Sequence, residues 1–395
     1  MKINHYFTVN SVTTTSKYFE NLDGLRFFAF LTVLVSHAAL FLGYENSSRV
    51  FSYITSYILV NGDVGVSFFF VLSGFLITHL LFNEQNKNGG ISLRKFYARR
   101  ILRIWPVYFL TLIIGFFILP HFVQTFASGN GFPFSTNPPH AVLPWYLFFL
   151  ANFNLAFHGG ASVPTDVLWS ISVEEQFYLI WPWIMLLLPR KYLAKFLGCI
   201  ILVSTLYKYS YALFPDVLAY STFSVMSYLA IGALLAWVTH TKPSIVQYVR
   251  ELPTRAILAA YGLLPVLIFG RHYVDNVLIS YPILYAVFVS ILPLLLGLLF
   301  AFIILEQNVS VGSFYKTGRS KIFGFFGKIS YGLYSYHMVA FAVVMLGAFR
   351  FGLVSPYAST ILWLLLFVFS FVTVLILATV SYIAIEKQFL KRKPK

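Results

Sequence analysis

The chain has 395 residues, of which 59% are hydrophobic and only 10% charged, and its mean hydropathy is +0.78. A water-soluble domain of this length does not carry so apolar a composition, so the reading is an all-α, polytopic integral membrane protein. The formal net charge of +15 would suit nucleic acid, but the lysines and arginines lie in short segments between apolar runs, where membrane topology accounts for them, and the lone Cys199 excludes an internal disulfide or a cysteine metal cage.

Residues 1–23 are polar and lack the apolar core and small-residue cleavage site of a secretory signal, so they read as a cytoplasmic N-terminal segment ahead of a retained membrane helix. Ten apolar runs of ~20 residues, long enough to span a bilayer, follow near 24–43, 66–82, 101–120, 168–188, 193–214, 220–239, 256–271, 277–305, 328–349 and 359–385. A turn-rich stretch without lysine or arginine, 120–139, reads as an outer loop.

The apolar stretch 141–157, AVLPWYLFFLANFNLAF, raises the question of an eleventh span, and charge decides it. With a cytoplasmic N-terminus and no span at 141–157, nearly all basic loops fall inside, leaving Arg49, Arg271 and Arg350 outside and Lys208 in the outer half of the fifth helix. A span there would invert every later loop. The expectation is therefore ten transmembrane helices, both termini cytoplasmic, with 141–157 re-entrant or interfacial and covered by protein. Residues 24–386 are expected to form one transmembrane domain and 387–395 a basic cytoplasmic tail, with no appended soluble domain expected; no repeat of ~20–50 residues runs along the sequence.

In the first run, Arg26 and His37 stand eleven residues apart, almost three helical turns, so they share a face about 16 Å apart along the axis. Titratable groups inside a membrane helix are costly and mark functional sites; a snorkelling arginine and a hydrogen-bonded histidine are the plainer account. In the second run, NGDVGVSFFFVLSGFLIT, Ser73 and Gly74 read as packing positions, and Asp63 as a polar contact near a site or a helix cap.

The third run opens with FYARRILRIWP. Arg100 and Arg103 share a face, and with Arg99 and Arg26 they suit the phosphates of a ligand at the inner surface, or else anionic lipid. The fourth, DVLWSISVEEQFYLIWPW, places Glu174 and Glu175 inside its outer end, at a depth expected to match His37, with Tyr178 a turn away. Such carboxylates need a polar interior, where they orient an imidazole or bind a hydroxylated substrate, unless they bridge to Lys208. In the ninth, Ser330, Tyr334 and His337 form a polar stripe that lines a cofactor channel or is a hydrogen-bonded core. No zinc signature, phosphate-cradling glycine loop or G-x-S-x-G elbow is present.

In order, LDGLRFFAFLTVLVSHA, GVSFFFVLSGFLI, RRILRIWPVYFL, LWSISVEEQFYLIWP and ISYGLYSYHMV resemble the membrane acyltransferase-3 family, from about residue 20 to Glu386. The resemblance implies ten membrane helices and transfer of an acyl group, usually acetyl from acetyl-coenzyme A, to carbohydrate hydroxyls at or beyond the outer face of a bacterial inner membrane. It also implies that His37 is the essential histidine, Arg26 its paired arginine, Arg100 and Arg103 the donor contacts, and Glu174 and Glu175 the glutamate motif. Phe27 departs from the family, where a small glycine often follows the arginine. Many relatives carry a fused extracytoplasmic esterase-like domain, and none is expected here.

The resulting expectation is a membrane O-acyltransferase that moves acetyl from cytoplasmic acetyl-coenzyme A to a hydroxyl of a cell-surface or periplasmic glycan. His37, Glu174 and Glu175 are the catalytic candidates, and His37 is the general base. Arg26, Arg99, Arg100, Arg103 and His337 are the donor-side candidates; Asp63, Trp169 and Tyr178 face the acceptor. No metal and no nucleic acid are expected; the partners are acetyl-coenzyme A, a carbohydrate acceptor that is lipid-linked or free, and membrane lipids. The alternative is a transporter of lipid-linked sugars, which should show related halves with helices broken in matching places.

Overall fold

The computed structural model describes residues 19–41, 51, 53–127, 140–160, 164–353 and 360–394. Ten long helices follow the expected runs: α1 (Glu20–Phe41), α2 (Gly62–Asn88), α3 (Leu93–Ile113), α4 (Trp169–Leu187), α5 (Arg190–Ser210), α6 (Thr222–Thr241), α7 (Thr254–Leu278), α8 (Pro282–Val309), α9 (Ser330–Arg350) and α10 (Thr360–Ser381). The protein is an all-helical, multi-pass membrane protein. Among the described residues nine helices are long and apolar enough to cross a bilayer. The fourth expected span forms as α4 but is not one of the nine; the polar run Glu174, Glu175 and Gln176 falls in its first half.

Close backbone packing sets the helix arrangement. A Cβ at Gly74 of α2 would lie 2.0 Å from the carbonyl oxygen of Leu229, and one at Gly232 of α6 would lie 1.9 Å from that of Val71, so only glycine lets these two helices meet. Lipid tails are as apolar as leucine, and such van der Waals contact is what drives helix association in a bilayer. The packing role expected of Gly74 is thus met. Ser73, beside it, faces the other way and belongs to the site.

The α2–α3 hairpin fixes one end of the bundle, termed here the basic end. Gly89 ends α2 in the left-handed region, at φ 74°, and its N–H donates to Gln85 O. Ser92 then caps α3 through its hydroxyl, which accepts from Lys95 N–H, and its own N–H donates to Glu84 Oε1 at 2.9 Å. Arg99, two turns into α3, pairs with Glu84 Oε2 at 2.9 Å. These contacts aim the next arginines inward.

The stretch 141–157 does not form one helix. It folds as two helices, Leu143–Leu147 and Ala151–His158, broken where Phe149 takes φ 56°. Helices of five and eight residues rise about 8 and 12 Å, too little to cross ~30 Å of hydrocarbon. Protein covers one side of them, while Phe148 and Phe157 are exposed: Tyr146, Asn152 and Asn154 are buried, Tyr108 donates to Tyr146 O at 2.7 Å, and Gln176 donates to Phe149 O and Asn152 Oδ1, both at 2.8 Å. Of the expected outer loop at 120–139, residues up to Ala127 instead prolong α3 through a π-type turn and the helix Leu119–Ala127; residues 128–139, like Arg49, lie outside the described residues.

Phe27, the residue that departs from the family pattern, packs against the helix Lys321–Lys328. Its ring stacks on Phe326 at 4.8 Å and on Phe323 at 5.8 Å.

Candidate active site

A cavity of about 1050 Å³ runs inward from the basic end between α2, α3, α4 and α9. Arg26, Arg99, Arg100 and Arg103 line its outer part, Ser73, Glu174 and Tyr178 its middle, and Ser170 and Tyr334 its inner end. The four arginines of the sequence reading therefore converge on one space, but they are not equivalent. Arg26 pairs with Asp23 at 2.6 Å and Arg99 with Glu84. Among the described residues Arg100 makes no ion pair. Its guanidinium lies 6.0 Å from the Phe96 ring centre and 5.9 Å from that of Tyr178, and its Nε is buried without a hydrogen-bond partner. Among the described residues Arg103 likewise has no ion pair. Two half-buried cations that make no ion pair among the described residues fit an anionic group brought by a ligand.

The tail extends this cluster. Pro394 lines the cavity, and Lys393 beside it has its pKa pushed down to about 8, first by burial and then by Arg103, Arg100 and Arg99. A lysine held among three like charges is receptive to an anion.

Glu174 is bound on both oxygens. Ser73 donates to Oε1 and Tyr178 to Oε2, each at 2.7 Å. Glu175, one residue on, faces another side of α4, accepts from Trp105 Nε1 at 3.2 Å, and buries its Oε1 without a hydrogen-bond partner. The expected depth match between these glutamates and His37 does not hold. Ser170, one turn farther from the basic end than Glu174, bonds Tyr334 at 2.7 Å, and Tyr334 in turn lies three residues nearer the basic end than His337, the histidine that meets His37. Glu174 is thus about 10 Å nearer the basic end than His37, at ~1.5 Å per residue. The cause is local: Pro164–Leu168 form a 3-10 turn whose Pro164, Thr165, Val167 and Leu168 are buried, so α4 starts well inside the bundle. Lys208 is not their partner either; its Nζ donates to Ser227 at 2.8 Å and Ser204 at 3.2 Å, between α5 and α6.

The companion of His37 is His337, and their ring centres are 4.9 Å apart. His337 Nδ1 lies 2.5 Å from Tyr334 O, and since a carbonyl only accepts, that nitrogen carries the proton. His337 Nε2 is then an acceptor, and it faces His37 Nδ1 at 3.3 Å. Val33 O faces the same Nδ1 at 3.0 Å. With acceptors on both approaches, His37 holds its proton on Nδ1 and keeps the lone pair on Nε2. His337 does not line the cavity as a donor contact would; it is fully buried and backs His37, which is itself half-buried.

The acceptor-side candidates are not brought together. Asp63, at the far end of α2, pairs with Arg271 of α7 at 2.6 Å. Trp169 packs edge-on against Phe70 and Tyr220. Tyr178 lines the cavity beside Glu174, on the same side as the arginines. The sequence reading also missed several residues near the site. Ser170 becomes visible only through its bond to Tyr334, and Glu386 is buried where a π-type turn carries it to Gly332. No periodicity in the sequence announces either contact.

A membrane-embedded helical bundle whose cavity is cationic at its mouth, carries a bound carboxylate midway and ends beside a tautomer-fixed histidine pair has the architecture of a group-transfer site. The chain belongs to the acyltransferase-3 family, whose acyltransferase domain matches residues 19–383. It is similar to the peptidoglycan O-acetyltransferase OatA of Listeria monocytogenes, 29% identical over 346 residues that cover 81% of this chain and 49% of the relative. It is also similar to "Putative peptidoglycan O-acetyltransferase YrhL" of Bacillus subtilis, 32% identical over 190 residues, 46% of this chain and 26% of that protein. The chain therefore spans about half the length of the first relative and less of the second. No solved structure matches it.

Proposed function

We propose that the protein is a membrane O-acetyltransferase that takes acetyl from acetyl-coenzyme A entering at the basic end, on the cytoplasmic side of a bacterial inner membrane, and passes it to a hydroxyl of an extracytoplasmic glycan. Peptidoglycan is the acceptor class that the names of its relatives indicate. The observation that carries the reading is a continuous cavity joining Arg100 and Arg103, which make no ion pair among the described residues, to Tyr334, whose ring centre lies 5.5 Å from that of His337.

Arg100, Arg103 and Lys393 hold the donor's phosphates, and the acyl arm runs past Ser73 and Glu174 toward Tyr334. The cavity stops one side chain short of the histidine pair, so Tyr334 swings aside for the thioester to reach His37. His37 Nε2 accepts the proton of the acceptor hydroxyl as its oxygen attacks the thioester carbonyl. The carbon–sulfur bond then breaks, the ester is released, and the thiolate recovers the proton from the imidazolium as free coenzyme A. Val33 O and His337 Nε2 hold the ring in the tautomer this requires. Glu174 fixes Ser73 and Tyr178 in the wall of the channel.

The test is transfer of radiolabelled acetyl from acetyl-coenzyme A to glycan by purified protein in nanodiscs. General-base catalysis contributes ~10²–10⁴-fold, so His37→Ala should lower labelling by at least a hundredfold. Labelling at the wild-type rate in that variant refutes the base.

A further inference from the structure

A second histidine pair stands at the basic end of the cavity, away from the reactive centre. His79 of α2 is 6% exposed, and its Nδ1 lies 3.1 Å from Nε2 of His240, on the last turn of α6. The Nε2 of His79 is buried with no hydrogen-bond partner. The pair sits among aromatic rings: His79 stacks on Phe75 at 5.6 Å and meets Phe19 edge-on at 5.1 Å, while His240 lies 4.9 Å from Phe82. Phe19, His79, Asn83 and His240 line the main cavity and also a small chamber of about 40 Å³ behind it.

The mouth of the cavity is thus divided by chemistry. The α3 side and the tail present cations; the α2–α6 side presents flat rings, an amide and an unused ring nitrogen. A ligand satisfying both carries phosphates next to a planar heterocycle. Resting on the reading that the donor is a coenzyme A thioester, we propose that the Phe19–His79–His240 wall is its nucleobase subsite. The purine packs against the ring of Phe19, its edge bonds His79 Nε2 and Asn83, and the nucleotide's phosphates turn across the mouth to Arg100, Arg103 and Lys393.

Either tautomer of His79 serves. If Nδ1 donates to His240, Nε2 is an acceptor for the purine's exocyclic amine; if Nδ1 accepts, Nε2 donates to a purine ring nitrogen. A buried polar atom without a partner is costly, and a base edge supplies the missing one. The cavity volume, at the top of the ~300–1,000 Å³ usual for small-molecule pockets, accommodates a long ligand bound at both ends.

Binding of coenzyme A and of 4′-phosphopantetheine, which lacks the base, separates this role from a structural one. In nanodiscs, His79→Ala should weaken coenzyme A roughly tenfold, the usual scale for a lost base contact, and leave 4′-phosphopantetheine unchanged. Equal weakening of both probes, or none of coenzyme A, overturns the subsite while leaving the donor reading intact. Failure of the wild type to bind coenzyme A at all refutes the donor reading itself. If His79→Ala does not fold, photolabelling of the wild type with 8-azido-coenzyme A decides: label on residues 75–83 or His240 supports the subsite, and label confined to other segments overturns it.

Discussion

His337 and His37, 300 residues apart in the chain, meet ring to ring so that His337 Nε2 accepts from His37 Nδ1 across 3.3 Å. His337 is anchored through its own Nδ1 to Tyr334 O, so in the proposed reaction it acts through the tautomer of His37 and touches no substrate. His337→Leu removes the acceptor and leaves Val33 O alone to hold the ring. The expected result is a kcat lowered roughly tenfold to a hundredfold, within the range of general-base effects, with the donor KM changed less than twofold. His337→Gln, which keeps an acceptor and a donor, should recover most of the rate. A donor KM that rises with kcat unchanged would instead make His337 a donor contact.

Arg100 and Arg103 should act on the donor alone. A charge-assisted hydrogen bond is worth about 1.5–3 kcal/mol, so the double variant Arg100→Ala, Arg103→Ala should raise the KM for acetyl-coenzyme A by at least tenfold. The acceptor KM should stay within twofold. Steady-state kinetics with each substrate varied in turn decides, and an unchanged donor KM counts against the phosphate role.

Lys393 gives the donor site a pH dependence. Its pKa, lowered from 10.5 to about 8, means that the ammonium is present in the folded protein below about pH 8 and lost above it. Donor phosphates favour the ammonium, so donor affinity should fall as pH rises through 8, and Lys393→Ala should flatten that fall. The same shift has the opposite sign for stability: the contribution of Lys393 is fully present above 10.5 and is lost as pH falls through about 8, where the folded state must accept the charge. Titrating coenzyme A binding between pH 7 and 9 in wild type and variant checks both the direction and the residue.

Lys208 lies outside the proposed chemistry. It is 3% exposed, and among the described residues only serine hydroxyls receive its hydrogen bonds. An apolar replacement of similar length avoids burying an ammonium without a carboxylate, so Lys208→Met should leave activity within twofold and thermal stability equal or higher. Loss of activity in a folded Lys208→Met protein would restore the ion pair with the glutamates that the sequence suggested.

Much of this arrangement can be read from residue order. The ten runs, the shared face of Arg26 and His37, and the failure of 141–157 to span all follow from periodicity and charge, which are properties of contiguous residues. The depth of Glu174 does not, because the buried turn at Pro164–Leu168 displaces the start of α4 inward by an amount that hydropathy does not encode. Nor do the pairs His37–His337 and His79–His240, since each joins two helices distant in sequence; for His79–His240 the close contact of Gly74 with Leu229 brings α2 and α6 together. Lys393 was legible only as a topology signal, and its approach to the α3 arginines is a tertiary contact.

The account as a whole rests on a donor and an acceptor meeting at His37 from opposite ends of the bundle. Oriented proteoliposomes, with radiolabelled acetyl-coenzyme A only in the compartment facing the α2–α3 hairpin and soluble glycan acceptor only in the other, test this directly. The expected result is labelled glycan in the far compartment, abolished by His37→Ala. No label across the membrane, with efficient labelling when both substrates share the donor's compartment, would contradict it.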